Sequence, residues 1–325
     1  MDCTRLGSSG LTVSRLALGC MSFGDTSRMP WALDQDAAEP VFRTAVELGI
    51  TFWDTANIYG LGSSEEIVGR AITEYSDRDS IVLATKLFSR MHEGPGGSGL
   101  SRKAILEQID ASLTRLGTDY VDLYQIHRFD PETPVEETME ALHDVVKAGK
   151  VRYLGASSMH AWQFAKLQST ADLNGWTRFV SIQDQYSLLM REEEREMFGL
   201  LADQGVGSLP WSPLAAGRVA RPWGAGGTER SDSNPDVDFA GRPLFLDSDK
   251  GTVDAVERIA AEHGVAMATI ALAWVLRNPV VTAPIVGSTK EHHLTDAAAA
   301  LEIELTGAEV EALEEHYAPR QPTYF

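Results

Sequence analysis

The chain has 325 residues, of which 43% are hydrophobic and 23% are charged, and this ordinary globular composition excludes a wholly disordered or collagen-like protein. Folding a chain of this length buries about three-quarters of the surface that the unfolded chain exposes, so one large domain is possible. The formal net charge of -19 disfavours nucleic acid and anionic membranes as partners, and a phosphate-bearing ligand would need a local basic pocket.

The first predicted element is a β-hairpin. Residues 4–6 and 11–13 form its two strands, and residues 7–10, which are all glycine or serine, form the turn between them.

Eight short apolar runs follow, and longer helical patterns separate nearly all of them. One helix is predicted between Ser101 and Gly117, because apolar residues recur there at helical spacing and glycine suits the end of a helix. Another begins at residues 133–136, Thr-Pro-Val-Glu, a sequence typical of a capping box with proline at the first helical position. The predicted strands are residues 16–18, 51–53, 81–86, 120–127, 151–154, 180–182, 207–209 and 282–286.

Strands that alternate with helices are joined by crossover connections and run parallel. Eight such units predict a single α/β domain over residues 1–325, a (β/α)8 TIM barrel with an N-terminal β-hairpin. An open doubly wound sheet is the alternative architecture.

One stretch, residues 212–250 after the seventh strand, breaks this alternation. It is rich in glycine, serine, proline and aspartate and has few periodic apolar residues. A loop of this length is either a functional lid or a tolerated surface insertion, and the sequence leaves both open.

Cys3 and Cys20 are the two cysteines, too few for a disulfide framework or a zinc site. The N-terminus leads into no long apolar run, and the most apolar window, residues 270–286, contains Arg277 and Pro279. We therefore expect a cytoplasmic protein with no signal peptide, no membrane span and no metal site. No pattern in the sequence specifies an oligomeric state.

Residues 94–99 match the pattern G-x-G-x-x-G, which is typical of dinucleotide-binding turns. The predicted strand before them ends near Lys86, too early for a tight strand-to-helix turn, and Pro95 is unfavourable within such a turn. We interpret this segment as a flexible loop.

Ionisable side chains follow three consecutive predicted strands. Asp54 ends the second, Lys86 the third and His127 the fourth, and Tyr59 lies five residues after Asp54. The carboxyl ends of barrel strands form the active-site face, so these groups should meet at one mouth. Each residue alone has a structural explanation, as a turn cap, a solvated strand end, a satisfied histidine or loop packing. Their joint placement favours catalysis.

The segment Phe-Trp-Asp-Thr-Ala-Asn-Ile-Tyr-Gly at residues 52–60 resembles the D-T-A-x-x-Y-G signature of the aldo-keto reductases. Lys86 and His127 fall where that family keeps its other two catalytic residues. Residues 161–166 are similar to the aryl-alcohol-dehydrogenase-like branch. The resemblance runs from residue 6 to about residue 301 and includes residues 151–158, 183, 211–217 and 284–287.

The resemblance implies an NADPH-dependent oxidoreductase that reduces small-molecule aldehydes or ketones to alcohols. In the reaction it implies, Tyr59 donates a proton to the carbonyl oxygen, and Lys86 lowers the pKa of Tyr59. Asp54 would hold Lys86, and His127 would donate a hydrogen bond to the substrate oxygen. The nicotinamide would supply the hydride, and residues 212–250 would form a lid over the bound cofactor or substrate.

The resemblance also implies a set of cofactor contacts for NADPH or NADP+. Ser157, Ser158 and Gln183 would hold the nicotinamide carboxamide, and Trp211 would stack on its ring. The phosphates would meet basic groups, with Lys290 at a helix N-terminus and His293 and Arg218 as further candidates. The remaining assigned contacts are Gly19, Met21, Ser212, Leu214, Gly217, Gly287 and Ser288.

Three positions depart from the family pattern. Relatives usually have asparagine where Ser158, Asp184 and Ala297 stand, which puts the amide and adenine contacts in doubt. Two other functions remain open: a cofactor-binding regulatory subunit resembling the potassium-channel β subunits, and a barrel enzyme of another class such as an isomerase.

Overall fold

Eight parallel strands form the centre of the structure, a computed structural model that describes residues 1–226 and 245–323. A separate antiparallel hairpin precedes them, and its strand positions differ by one residue from the predicted ones. The strands are β1 (Cys3–Arg5), β2 (Thr12–Ser14), β3 (Ala17–Gly19), β4 (Phe52–Asp54), β5 (Val82–Leu87), β6 (Val121–Ile126), β7 (Val151–Ser157), β8 (Phe179–Gln183), β9 (Gly207–Ser208) and β10 (Ile285–Gly287).

The sheet closes on itself. Its order is β10-β3-β4-β5-β6-β7-β8-β9, and the backbone N–H groups of Thr282 and Ile285 donate to the carbonyls of Ser208 and Pro210. These bonds join the last strand in the order to the segment that leads into the first. The predicted (β/α)8 barrel is therefore confirmed, and the open doubly wound sheet is wrong.

Helices follow the strands as predicted and form the outer layer. The described helices are α1 (Gln35–Glu47), α2 (Ser63–Tyr75), α3 (Arg102–Leu116), α4 (Val135–Lys147), α5 (Ala161–Asn174), α6 (Met197–Gln204), α7 (Asp249–His263), α8 (Met267–Leu276), α9 (Glu291–Ala299) and α10 (Gly307–Glu314). Helix α3 begins where the Ser101 side chain accepts a hydrogen bond from the Ala104 N–H, and it ends at Gly117 in the left-handed conformation. Both signals were read correctly from the sequence.

The capping box predicted at the start of α4 is wrong. The Thr133 hydroxyl donates to the Asp130 carboxylate at 2.8 Å, and Pro134, which has no side-chain hydrogen bond to give, occupies the N-cap position. The Thr133 side chain thus stabilises the loop before α4 and makes no capping hydrogen bond to the start of the helix.

The core has two parts. A large cluster lies between the sheet and the helices, and a small cluster of short apolar side chains fills the barrel interior. Leu6 and Val13, from the hairpin, belong to the interior cluster and are fully buried. The Ser8 N–H donates to the carbonyl of Gly205, just before β9. The hairpin therefore plugs the amino end of the barrel, and the carboxyl end is the one open to ligands.

Backbone strain is concentrated at the carboxyl end. Among the described residues, every non-glycine residue with a positive φ lies in a loop that follows a barrel strand. Such conformations cost about 1–3 kcal/mol each and are typical of functional sites. These residues are Leu61, Phe88, Ser158, Ser212, Ala215 and Ala216.

Part of the predicted lid, residues 227–244, lies outside the described residues. Its first part is described as far as residue 226 and includes a 3-10 segment, Ala215–Ala220. Within the described ranges no single helix is long and apolar enough to cross a membrane, and α7 with α8 passes that test only as a pair bent by 102°.

Candidate active site

A buried lysine is at the centre of the carboxyl-end mouth. The Nζ atom of Lys86 lies 2.5 Å from Asp54 Oδ2, 2.8 Å from the Thr55 carbonyl oxygen and 3.4 Å from the Tyr59 hydroxyl. Neither Lys86 nor Asp54 is more than 2% exposed. The structure thus brings together three of the four predicted catalytic residues in direct contact.

Strand register explains this meeting. Asp54 pairs with Ala84 in the parallel ladder between β4 and β5, and Lys86 lies two residues further along the face of β5 that points inward. Because side chains alternate along a strand, Lys86 reaches over the barrel interior with Ala84, as the sequence predicted. On β6, Leu123 joins the interior cluster but Val121 packs with the outer one, so the inward face begins later than expected.

A tight turn carries Tyr59 to the lysine. Tyr59 begins a short 3-10 helix, and the next residue, Gly60, has φ +57°. A Cβ atom on Gly60 would lie 2.1 Å from Ser63 Oγ, so the turn requires glycine there. At the start of α2 the Ser64 hydroxyl bonds to Thr55 Oγ1 and to the carbonyl of Cys20, which fixes the helix beneath the turn.

His127 directly follows β6, and its ring lies edge-on to the Tyr59 ring with centroids 5.9 Å apart. Burial lowers the pKa of His127 well below its ordinary value, and the positive charges of Lys86 and Arg128 act in the same direction. The imidazole is therefore neutral at neutral pH and carries one N–H, and its buried Nδ1 has no partner in the described part of the chain. A neutral imidazole in this position can donate one hydrogen bond to a ligand oxygen.

The pKa of Tyr59 differs from the expectation. Burial raises it above its ordinary value, and the Lys86 ammonium, which acts to lower it, does not outweigh burial. Burial acts to lower the pKa of Lys86, but Asp54 and Tyr59 raise it above its ordinary value. At neutral pH the lysine is charged and the phenol keeps its proton, which is the state a proton donor requires.

Asp54 is held on its other side by two glutamines. Its Oδ1 accepts hydrogen bonds from the side-chain amides of Gln125 and Gln183, both at 2.9 Å, and Gln183 also donates to Gln125 Oε1. Sequence reasoning assigned no role to Gln125, although it shares the face of β6 that leads to His127. Hydrogen bonds of this kind hold the carboxylate oriented toward Lys86.

The four residues predicted to hold the nicotinamide form one connected group. The Ser157 hydroxyl donates to the Gln183 carbonyl at 2.7 Å and lies 3.1 Å from the Ser158 hydroxyl. The Trp211 indole N–H donates to Ser158 Oγ at 3.1 Å. Within the described part of the chain, the side-chain amide nitrogen of Gln183 donates its hydrogen bonds to Asp54 and Gln125. The amide oxygen is therefore available to accept a hydrogen bond from a ligand.

Two predicted contacts, Gly19 and Gly287, lie on neighbouring strands, and a third, Met21, follows one of them. Gly287 pairs with Gly19, and Gly19 pairs with Asp54, so all three stand at one level of the sheet. A Cβ atom on Gly19 would lie 2.8 Å from Ile285 Cγ2, which explains why a residue without a side chain is needed. Met21 is half-buried in the turn after β3.

The predicted phosphate contacts lie in two segments. Ser288 is buried, and its hydroxyl donates to the Lys290 carbonyl just before α9. Lys290 is the exposed N-cap of that helix, and the Thr289 N–H donates to His293 Nδ1 at 3.4 Å. Arg218 instead lies 4.2 Å above the Phe245 ring, in the segment that also contains Ser212, Leu214 and Gly217.

Sequence reasoning assigned no role to three charged groups near His127 and Gln183, although it noted Asp184 as a departure from the family pattern. Arg128 donates to the His127 carbonyl at 2.6 Å, and burial raises the pKa of Asp184, the residue after β8, to about 7. Burial and the charge of Asp184 raise the pKa of nearby Glu193 to about 10. Arg128 could have been found as a basic residue next to His127, but the approach of Glu193 depends on a loop with no sequence signal.

In the described ranges no cluster of three His, Cys, Asp or Glu side chains could hold a metal ion.

Comparisons with known proteins agree with this geometry. A family model described as the aldo/keto reductase family matches residues 15–318. The chain is 44% identical over 338 residues to versiconal hemiacetal acetate reductase from Aspergillus parasiticus, and the match covers 98% of each chain. It is 42% identical over 339 residues to a putative aryl-alcohol dehydrogenase from Schizosaccharomyces pombe, covering 97% of this chain and 95% of that one. An aldo-keto reductase from Fusarium vanettenii is 42% identical over 346 residues, covering 98% and 92%.

Proposed function

The chain belongs to the aldo/keto reductase family of oxidoreductases, which act on small-molecule carbonyl compounds, and on this premise we propose that it reduces aldehydes or ketones with NADPH. The observation that carries the proposal is the contact between Tyr59 and Lys86. A phenol that keeps its proton at neutral pH lies 3.4 Å from an ammonium group, in a mouth open to substrate. Such a phenol is suited to protonate a carbonyl oxygen.

Each of the four catalytic residues has a distinct task in this proposal. Tyr59 gives its proton to the carbonyl oxygen as negative charge develops there, and the Lys86 ammonium stabilises the phenolate that remains. Asp54 keeps Lys86 charged and in place. His127, as a neutral imidazole, donates a hydrogen bond that orients the same oxygen. NADPH, when bound, supplies the hydride to the carbonyl carbon.

The chain's own groups fit a nicotinamide cofactor. The amide oxygen of Gln183, which accepts no hydrogen bond from a residue in the described ranges, matches the amide N–H of a carboxamide. The Trp211 ring is held at the same place by its bond to Ser158. Gly19 and Gly287 stand level with Asp54 in the sheet, and we place the nicotinamide ring beside them. We assign this side of the mouth to the cofactor and the Tyr59 and His127 side to the substrate.

The preference for NADPH over NADH is assigned to the start of α9. Its first N–H groups and the exposed Lys290 ammonium offer positive charge to a ribose phosphate, in a chain whose net charge is otherwise -19. We place His293 beside this phosphate as well. Arg218, which stacks on Phe245, is assigned to the pyrophosphate side through the 3-10 segment that it shares with Gly217.

Both cysteines are free, which agrees with a cytoplasmic setting.

Consumption of NADPH in the presence of carbonyl compounds is the direct test. The panel should include aromatic aldehydes and hemiacetals, because relatives are named as aryl-alcohol dehydrogenases and as a hemiacetal acetate reductase. We expect stoichiometric alcohol formation by chromatography. Tight NADPH binding with no turnover on any carbonyl would indicate a regulatory subunit, and no binding of NADPH or NADH would indicate another class of barrel enzyme.

A further inference from the structure

Arg128 lies at the substrate side of the mouth and has no assigned role. It directly follows His127, and its Nη1 atom donates to the His127 carbonyl oxygen at 2.6 Å. This single bond to a neutral acceptor uses one of the five N–H donors of the guanidinium. The side chain is half-buried, and Tyr59 and Asp184 are the ionisable groups whose charge acts on it.

In the described part of the chain, the guanidinium of Arg128 lacks the carboxylate partner that four other half-buried arginines have, a lack that it shares with Arg15, which donates only to the Leu276 carbonyl. Within the described residues, no carboxylate oxygen lies within 4 Å of Arg128, and burial lowers its pKa below the ordinary value. In contrast, four half-buried arginines elsewhere each pair with a carboxylate at 2.5–2.8 Å. They are Arg78 with Asp122, Arg115 with Glu65, Arg191 with Glu194, and Arg320 with Asp249.

Asp184 does not neutralise this charge fully. Burial raises the pKa of Asp184 to about 7, so near neutral pH the group is protonated in a large part of the molecules. One of its oxygens already accepts the Ser158 N–H at 2.8 Å. A partly desolvated cation beside the catalytic tyrosine and histidine is therefore left to be balanced by a ligand.

Two aromatic side chains lie near Arg128, on the same face of the barrel. Phe129, the next residue, contacts the Trp162 ring edge-on with centroids 6.0 Å apart. Trp162 is 59% exposed, an unusual state for the largest apolar side chain, and it lies at the start of α5 on the same face of the barrel. An aromatic body can pack against this pair while a charged group reaches Arg128.

We propose that Arg128 is a substrate-binding residue that selects aromatic carbonyl compounds bearing a carboxylate. The guanidinium would pair with the carboxylate through its unused N–H donors, while Tyr59 and His127 hold the carbonyl oxygen. This inference rests on the proposed carbonyl reduction and names its substrate class.

A matched pair of substrates tests the charge alone. 4-Formylbenzoate and its methyl ester carry the same aldehyde, but only the first is an anion. The ester withdraws more electron density from the ring, so each substrate is compared with itself between wild type and variant. We expect Arg128→Gln to lower kcat/KM for 4-formylbenzoate about 10- to 150-fold, the range for a hydrogen bond between charged groups. The ester should change less than about threefold, a margin set below that range. Arg128→Lys should recover part of the loss, and Arg152→Gln, which changes an exposed arginine stacked on Tyr120, should change neither substrate.

Two results would overturn the inference. Equal losses on acid and ester would mean that Arg128 only positions His127, and a change confined to the KM for NADPH would mean that it serves the cofactor. Calorimetric binding of benzoate, which has no carbonyl group to reduce, separates this inference from the proposed function. Benzoate binding that is lost in Arg128→Gln, with no turnover of any aldehyde, would refute only the function. Turnover with benzoate binding unaffected by the substitution would refute only the role of Arg128.

Discussion

Replacing Asp184 with asparagine should make the stability of the protein less dependent on pH. The Asp184 carboxyl is 1% exposed, and its Oδ2 atom has no hydrogen-bond partner in the described part of the structure. Burial is the largest cause of its raised pKa, and the Ser158 N–H and Arg128 only partly oppose it. The folded state therefore disfavours the charged form of this side chain, and Asp184→Asn removes that form.

The sign and size of the effect follow from the two pKa values. A carboxyl whose pKa is 3.8 in the unfolded chain and about 7 in the folded protein favours folding only while it is protonated. Its contribution is complete below about pH 4 and is lost progressively as the pH rises to about 7, at about 1.36 kcal/mol per pH unit. Between pH 5.5 and pH 8 the wild-type protein should lose about 2 kcal/mol that the variant keeps.

Urea unfolding at pH 5.5 and pH 8, followed by tryptophan fluorescence, measures this difference. The buried amide of the variant adds an offset that does not change with pH, so the observable is the change in the difference between the two proteins. Loss of the Asp184 charge also lowers the raised pKa of Glu193, which acts in the same direction as the expected effect. Asp203→Asn, at an exposed aspartate, is the matched control and should show no such change. A difference between Asp184→Asn and wild type that is the same at both pH values would refute the assignment of a raised pKa to Asp184.

Three further substitutions test the catalytic and cofactor assignments. Tyr59→Phe should retain NADPH binding and lose about 10²- to 10⁴-fold in carbonyl reduction, and a variant within about threefold of wild type in steady-state assays would remove Tyr59 as the proton donor. Lys86→Met should lower activity and move the alkaline limb of the residual pH–rate profile to higher pH, because the Lys86 ammonium acts to lower the pKa of Tyr59. An alkaline limb at the same pH as in wild type would contradict this coupling. Lys290→Ala should weaken NADPH binding at least about tenfold and change NADH binding little in fluorescence titrations, and equal weakening of both would place Lys290 away from the ribose phosphate.

The barrel and the three strand-end residues were predictable because both depend on local, periodic signals. Alternating strand and helix patterns predict parallel strands, and parallel strands place Asp54, Lys86 and His127 at one end whatever the details of packing. The same argument predicts that their side chains share the mouth, and no exact strand boundary is needed for it.

The electrostatic state of the site was not predictable in this way. Proximity of Lys86 to Tyr59 indicated a lowered pKa, but the net direction depends on how deeply the phenol is buried, which only the assembled barrel shows. The contacts of Gln125 and Gln183 with Asp54 join residues 71 and 129 positions apart in the chain. The capping box at residue 133 failed for a related reason, since the competing acceptor, Asp130, has no sequence signal of its own.

The hairpin that plugs the amino end of the barrel bears on the order in which the proposed ligands would bind. Because Leu6 and Val13 fill that end, the proposed cofactor and substrate would share the carboxyl end. The residues assigned to the nicotinamide, Ser157 and Gln183, are at most 3% exposed, whereas Tyr59 and His127 are half-buried. If the proposed function is right, the cofactor occupies the deeper position, and we expect it to bind before the carbonyl compound and to leave after the alcohol. Two short strands that take no part in the chemistry would then contribute to an ordered kinetic mechanism.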